Sequence, residues 1–446
     1  TLIGSADFEH FPDAFYRCWI SDSMLKRFGP DGMFLDLKEL VQENAPNLCK
    51  ALDEMDAWSN VLDPETGAMY SVPELNSALS ARMHPKMFFN KKMLEAVGGK
   101  VPTTTDELYE LLVKVRDADA NGNGDANDEI GVTSNGLSNV LRAFTGAFGL
   151  NNRGREDLSV DADPSDPTKI RFVYTCDSYR QYLAYVAKLY QEGLIDPELF
   201  ELSTAKMVAK GSQDMIFCLS YINCQAASVN ADDYVGLEVA LKGPNGDQQW
   251  NNMNKGVGLG AFAISPTCKD PATLVRWIDS FYTDEGAKMF YFGKEGEDFY
   301  YDENGLPAYN QEILDQVSAE NPYDKVISAI SPYASGTLPV LIKDEFFCGA
   351  ECRGVNLETA KNLEPYVNQI TWKFNFTTEE SEELSPLTAD LITNCHDVYR
   401  AKFIKGELDV NDDAAWQSYV DEMQSLGLER YIEIYQGALD RMQAQN

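Results

Sequence analysis

Two periodicities alternate along the chain. Leu37, Leu40, Val41 and Leu48 recur at helical spacing and predict a helix over Asp36–Cys49. Short apolar runs predict strands at Thr1–Ser5, Met69–Pro73, Met87–Phe89, Met215–Leu219 and Gly260–Ser265, with a further short run at Phe11–Tyr16. Pro102-Thr103-Thr104-Thr105-Asp106-Glu107-Leu108 reads as a helix start. Thr104 or Thr105 can cap the free amides, and Glu107 sits in the first turn. Tyr179–Glu192 is an amphipathic helix closed by Gly193, and Pro271–Tyr282 is a helix with proline at its tolerated first position. From Glu379 to Gln443 the pattern is helical throughout, with Trp416, Tyr419, Met423, Tyr431 and Tyr435 among its large residues. Strands alternating with helices and followed by a helical tail predict α/β lobes with open sheets. No repeat and no Pro/Gly/Ser linker is visible, so two lobes would be joined by strands rather than by a flexible tether.

Charge narrows the function classes. The 446 residues carry 37 Lys+Arg against 71 Asp+Glu, a net charge of −34. Such a surface repels phosphate backbones and anionic lipid, which removes general nucleic-acid binding and a basic membrane anchor. Hydrophobic residues at 44% and aromatics at 11% are too many for a disordered acidic chain. The longest uncharged run, Gly256–Cys268, is too short to span a bilayer.

Nine cysteines cannot all pair within one chain, and there is no CxxC. Cys348 and Cys352 have no histidine near them in sequence, and His10, His84 and His396 are scattered, so a zinc set is not expected. Most of the thiols are expected to pack as small hydrophobes. The start, Thr1-Leu2-Ile3-Gly4, has neither the basic nor the apolar region of an export signal, so such a signal would have been removed or lie outside these residues.

The sharpest chemical signal is the acidic loop Asp117–Ile130. Calcium takes six to eight hard oxygens, and alternate residues of a tight loop supply them. The pattern D-x-[DN]-x-[DN]-G fits from Asp117 and again from Asp119. The Asp119 frame offers Asp119, Asn121 and Asn123, then Gly124 for the turn and the Asp125 carbonyl, with Asp128 and Glu129 closing the shell. No Glu stands at the twelfth position, so a structural rather than a switching Ca2+ is expected.

Other motifs fail on context. Gly256-Val257-Gly258-Leu259-Gly260-Ala261 spells a dinucleotide fingerprint, but strand-like residues and Pro266 follow it instead of a helix. Its glycines predict a bend or a close strand crossing. There is no Walker A, HExxH or GxSxG sequence, and no catalytic set is nominated.

Several segments together resemble the extracellular solute-binding proteins (family 1) of bacterial ABC sugar importers, in the lipoprotein branch of Firmicutes. They are Phe34-Leu35-Asp36-Leu37 with Ala45-Pro46-Asn47-Leu48, Gly67–Pro73, Val101–Tyr109, the loop Asp119–Glu129, Gly260–Ile264, Gly293–Phe299, and the tail from Trp416 to Gln436. They occur in family order and cover nearly the whole chain. The resemblance implies a two-lobed, periplasmic-binding-protein-like (type II) α/β fold closing like a hinge on a sugar. The N-lobe is then expected at 1–80 and 264–374, and the C-lobe, carrying the calcium loop, at 81–263 and 375–446. It further implies a carbohydrate ligand, an ABC permease as partner, a monomer, and a lipid anchor outside this chain holding it on the surface of a Gram-positive cell. Two features depart from the family: its lipid-anchored cysteine and first N-lobe strand are not found here, and the acidic loop is one residue longer, leaving Asn127 and Asp128 as alternatives.

Sugars stack their C–H faces on aromatics and pair hydroxyls with planar polar groups. Candidates follow strands: Tyr16 and Trp19, then Tyr221 and Asn223, then Trp250 with Asn251 in a stretch lacking apolar neighbours, while Asn76 and Arg82 flank the first lobe crossing. Trp277 and Trp416 read as core, and Trp58 as packing a helix end. The expectation is an exported binding protein without catalytic activity that hands an oligosaccharide to a permease. A non-transporting glycan sensor and a glycan-cleaving enzyme are the alternatives.

Overall fold

A computed structural model describes residues 11–18, 20–150, 159–228, 231–252, 256–318, 320–331, 338–367, 372, 374 and 376–444. The strands are β1 (Ala14–Tyr16), β2 (Val72–Asn76), β3 (Lys86–Asn90), β4 (Ile130–Thr133), β5 (Val160–Asp163), β6 (Asp166–Phe172), β7 (Ile216–Tyr221), β8 (Tyr234–Gly236), β9 (Val257–Ile264), β10 (Phe299–Tyr301), β11 (Pro307–Tyr309) and β12 (Leu341–Ile342). The chain divides into two compact units, Thr1–Arg82 with Lys255–Arg353, and Met83–Asn254 with Gly354–Asn446.

The first unit is built on a four-stranded sheet in the order β1-β9-β2-β12. β9 runs antiparallel to both neighbours, and β12 lies parallel to β2. Alternation along β9 explains both faces. Phe262 and Ile264 join Leu37, Val41, Leu48, Leu52, Val275 and Ile278 on one side, while Ala263 meets Phe11, Phe15, Ile20, Leu25 and Phe34 on the other.

The expected helix Asp36–Cys49 is two helices, Lys38–Asn44 and Pro46–Glu54. Pro46 forces Ala45 out of helical geometry (φ −127°, ψ 66°) and starts the second helix. The buried Asp279 carboxylate then accepts from Asn47 Nδ2 at 2.7 Å and from the Leu48 amide at 2.9 Å. The strand expected from Met69 begins only at Val72, because the Met69 backbone is engaged by Leu37 and by the Asp36 carboxylate. The predicted strand Thr1–Ser5 lies outside the described residues.

Pro271–Asp279 is helical as read, capped by Asp270, and a 3₁₀ turn completes it to Tyr282. Trp277 corrects the core expectation: it is 49% exposed, since the stripe meeting the sheet runs through Val275 and Ile278 and leaves Trp277 on its rim. Trp416 is buried against Phe403 and Tyr419. Trp58 opens the short helix Trp58–Val61 and donates to Asp53 at 2.7 Å.

The second unit holds a sheet in the order β4-β7-β3-β8. Thr104 caps helix Thr105–Arg116 by accepting the Glu107 amide. The tail comprises Thr378–Thr388, a π-helical turn at Ala389–His396, Asp397–Lys405, Asp413–Ser425 and Leu428–Ala444. All nine cysteines are free thiols, and Cys218, Cys224, Cys348, Cys352 and Cys395 are buried.

Unit boundaries differ from those expected. β9 is hydrogen-bonded along its length between β1 and β2, so it belongs whole to the first unit, which resumes at Lys255. Helix Gly354–Leu363 belongs to the second, where Thr359 fills the space over Gly236 and Asn356 holds the Cys224 amide. The glycine-rich run is a close crossing. A Cβ on Gly256 (φ 53°) would stand 2.0 Å from the Asn76 carbonyl oxygen, and one on Gly260 (φ 73°) 1.9 Å from that of Ile20. Gly260→Ala is therefore expected to destabilise the protein by about 3 kcal/mol in urea unfolding, from backbone strain and collision together.

His396 gives a pH signature. Its ring stacks on Tyr174 at 3.7 Å, Nε2 meets the Tyr179 hydroxyl at 2.7 Å, and Nδ1 faces Asp397. Burial pushes its pKa down from 6.5 to about 4. The unfolded chain takes up the proton first, so this contribution is complete above pH 6.5 and is lost as pH falls through about 4. The expected loss is about 3 kcal/mol, and His396→Gln should flatten that limb of a stability-versus-pH curve.

Candidate functional site

Asn76 and Arg82 come together in the first unit. Asn76 ends β2, donates its backbone N–H to the Gly256 carbonyl at 2.7 Å, and uses Oδ1 to accept the Ala78 amide at 3.1 Å. The Arg82 stem lies over Gly256 from the short helix Leu79–Arg82, whose first amides are held by Asp344. Because Oδ1 of Asn76 is committed, its Nδ2 group is an oriented donor with no protein hydrogen bond.

Tyr221 and Asn223 come together in the second unit. Tyr221 closes β7, and its ring meets His84 edge-on at 5.7 Å. Asn223 Oδ1 caps the 3₁₀ turn Cys224–Ala226 by accepting the Ala226 amide at 3.2 Å. The neighbouring Gln225 accepts from Asn356 Nδ2 at 2.8 Å, and Asn356 Oδ1 takes the Cys224 amide at 3.0 Å. Asn223 Nδ2 and Gln225 Nε2 are donors without hydrogen bonds among the described residues. One aromatic edge and two fixed amides at a strand end suit the hydroxyl and ether oxygens of a sugar. Sequence reading missed His84, Gln225 and Asn356. Gln225 was signalled by its place in the same strand-end loop; His84 and Asn356 join only through the sheet and helix packing.

The remaining candidates lie elsewhere. Tyr16 is 37% exposed at the far end of β9, opposite Phe262. Trp19 lies outside the described residues. Trp250 and Asn251 are buried, each being 1% exposed. The Trp250 amide donates to the Tyr366 carbonyl, and Asn251 Nδ2 reaches the Arg142 carbonyl at 3.5 Å. The backbone carbonyls they reach belong to residues remote in sequence. Neither Trp250 Nε1 nor Asn251 Oδ1 has a protein partner.

The acidic loop joins helix Thr105–Arg116 to β4 and folds onto its own oxygens. Asp119 accepts the Asn123 and Gly124 amides, each at 3.0 Å. Asn121 Oδ1 also accepts the Asn123 amide, and Asn123 Oδ1 accepts that of Asp125. Asp128 takes the side-chain amides of Asn121 at 3.1 Å and Asn123 at 2.6 Å. Glu129 Oε1 accepts the Ala120 amide at 2.7 Å, whereas its Oε2 is buried without a hydrogen-bond partner. Asp117 turns away to Arg116, so the convergent frame is the one beginning at Asp119. Asn127 bonds to Asp125 and leaves Asp128 as the carboxylate in the ring. Among the described residues no three His, Cys, Asp or Glu side chains form a metal cluster; the donors here are carboxylates interleaved with amides. An all-oxygen set with one orphaned carboxylate oxygen fits a hard cation.

The architecture is α/β, with one four-stranded sheet in each of two units. No family model matches the chain. The fructooligosaccharide ABC transporter substrate-binding protein FusA of Streptococcus pneumoniae is 24% identical over 97% of this chain and 80% of its own length. Lipoprotein LipO of Bacillus subtilis is 28% identical over 48% of this chain and 42% of its own. The structure of FusA in complex with kestose superposes with a TM-score of 0.76, covering 100% of this chain and 90% of that one at 24% identity. An EF-hand mutant of FusA with fructo-nystose gives 0.75, at 23% identity and covering 100% and 90% of the two chains. The alginate-binding protein AlgQ2 without calcium ion gives 0.74, at 18% identity and covering 98% and 87%. The chain has the periplasmic-binding-protein-like fold of these neighbours.

Proposed function

We propose that the protein captures an oligosaccharide outside the cytoplasm by hinge closure and delivers it to an ABC permease, without cleaving it. The observation that carries this reading is the strand-end group of Tyr221, Asn223 and Gln225, in which the side-chain oxygens of Asn223 and Gln225 accept from the fold while their amide N–H groups make no hydrogen bond among the described residues. Asn76 and Arg82 are further candidates for contact with the sugar. The relatives' ligands support a fructan-type saccharide as the first to try, since FusA was solved with kestose and fructo-nystose. No helix among the described residues is long and apolar enough to cross a membrane. The likeness to a lipoprotein supports attachment to a Gram-positive surface through a lipid anchor outside this chain, with the protein working as a monomer.

The acidic loop would hold a structural Ca2+ through Asp119, Asn121, Asn123, the Asp125 carbonyl, Asp128 and Glu129. Its role is to brace the passage from helix Thr105–Arg116 into β4, and the EF-hand and calcium labels carried by structural neighbours support it. Bound cation would replace the amide contacts to Asp128 and engage Glu129 Oε2.

Thermal-shift titration tests both parts. A fructo-oligosaccharide present at about a hundred times its Kd should stabilise the native state by about 2.7 kcal/mol, with the sugar recovered intact after long incubation. Tyr221→Ala should raise Kd about tenfold while leaving the melt of the free protein nearly unchanged. A flat response across fructans, human milk oligosaccharides, N-glycans and uronic-acid oligomers would overturn the sugar reading. Separately, chelator should lower Tm and calcium should restore it, and Glu129→Gln should weaken that response; a melt indifferent to chelator would remove the metal.

A further inference from the structure

The second unit holds a group of polar side chains that the sugar and calcium readings leave unused. The π-helical turn Ala389–His396 runs directly into helix Asp397–Lys405, and the junction brings His396, Asp397 and Arg400 against the tyrosines of helix Asp177–Gln191. Such turns are rare and recur at functional sites. Oδ1 of Asp397 meets both His396 Nδ1 and Arg400, each at 3.0 Å. One carboxylate oxygen is thus shared, and Arg400 Nε is buried without a hydrogen-bond partner.

A second arginine approaches the same tyrosines from helix Leu137–Thr145. Tyr182 donates its hydroxyl to the Leu141 carbonyl at 3.1 Å, which ties that helix to the ring row Tyr182, Tyr179 and Tyr174. Arg142 follows Leu141, and its charge and that of Arg400 both act on Tyr174 and Tyr182. The Arg142 carbonyl accepts from Thr145 Oγ1 and Asn251 Nδ2, but its guanidinium makes no hydrogen bond or ion pair among the described residues. Burial pushes its pKa down from the ordinary arginine value. Carboxylates are not scarce in a chain with 71 Asp+Glu against 37 Lys+Arg, so this guanidinium is unpaired by placement. Two guanidiniums therefore share one carboxylate. Half-buried cations in this state call for a counter-ion, and the guanidinium fork matches the geometry of an oxyanion.

We propose that Arg142 and Arg400 hold a small free oxyanion, phosphate or sulfate, beside Tyr174 and Tyr182. Both arginines belong to the second unit, and the proposal does not rest on the sugar reading. Neither is fully enclosed: the Arg400 side chain is 22% exposed and Arg142 is partly exposed, so an ion can reach them from solvent.

The test is titration of the protein with sodium phosphate and with sodium sulfate, at an ionic strength held constant by sodium chloride. Each should give a saturable rise in Tm, and phosphate should show exchange broadening of its phosphorus resonance. Arg142→Gln should weaken phosphate binding about tenfold or more, and Arg142→Lys, which keeps the charge but loses the fork, by an intermediate factor. Since the guanidinium has no protein partner, Arg142→Gln should leave the Tm in phosphate-free buffer unchanged. A Tm that falls equally with and without phosphate would mark Arg142 as structural and overturn the proposal. So would the absence of a saturable response, or a response in Arg142→Gln equal to that of the unaltered protein. Stabilisation by uronic-acid oligomers but by neither inorganic ion would overturn it too, since the anion would then be carried on a saccharide.

Discussion

The carbonyls of Asn76 and Ile20 approach β9 more closely than any side chain would allow, and this close approach positions the first unit's sheet. Gly256 and Gly260 both sit at positive φ, and each would drive a Cβ into a carbonyl oxygen. The reward is that β9 bonds to β1 on one side and β2 on the other over a sheet only four strands wide. Asn76 is then fixed by the Gly256 carbonyl, and Arg82 lies over the same glycine. One backbone crossing thus sets both a core and two candidate ligand residues. Any residue larger than glycine would move Asn76 and Arg82 as well as cost stability.

The fold was legible where local chemistry decides it. The Thr104 cap, the proline start at Pro271 and the glycine end at Gly193 all mark real helix boundaries. Pro46 was visible too, yet the apolar spacing across it masked the break, because the residues on both sides face the same core. Long-range pairing was not legible. Nothing near residue 47 announces that Asp279 caps its helix, and nothing near 250 announces that the Tyr366 carbonyl takes the Trp250 amide or that the Arg142 carbonyl takes the Asn251 side chain. Trp277 shows the converse. Its spacing fits a buried stripe, but its exposure depends on how far the sheet below extends.

The candidate sugar residues divide along the same line. Tyr221 and Asn223 could be found because a strand ends there and polar planar residues follow it. Their orientation comes from Asn356, more than a hundred positions away, which holds both the Cys224 amide and the Gln225 oxygen. What makes the group chemically specific is the pairing of each amide's oxygen inside the protein. That pairing fixes which end of each amide is left without a hydrogen bond among the described residues, and turns a flexible acceptor–donor into a committed donor. The entropy of orientation is met in folding, so less is lost on binding.

The acidic loop shows the same economy under a harsher constraint. A chain with a net charge of −34 has little cation to spare, and Arg116 is already engaged by Asp117. The loop answers by satisfying carboxylates with amides: backbone N–H groups on Asp119 and Glu129, and the side chains of Asn121 and Asn123 on Asp128. Neutral donors stabilise the geometry without discharging it. Four carboxylates, Asp119, Asp125, Asp128 and Glu129, therefore remain in one small loop, with Glu129 Oε2 buried and without a hydrogen-bond partner among the described residues. Repulsion among them is relieved by a divalent cation but only softened by dipoles, so a loop that is folded by amides is one whose last increment of stability is electrostatic. Placed between helix Thr105–Arg116 and β4, that increment acts on the edge of the sheet beside β7, and so links the loop's oxygens to the strand that ends at the candidate residue Tyr221.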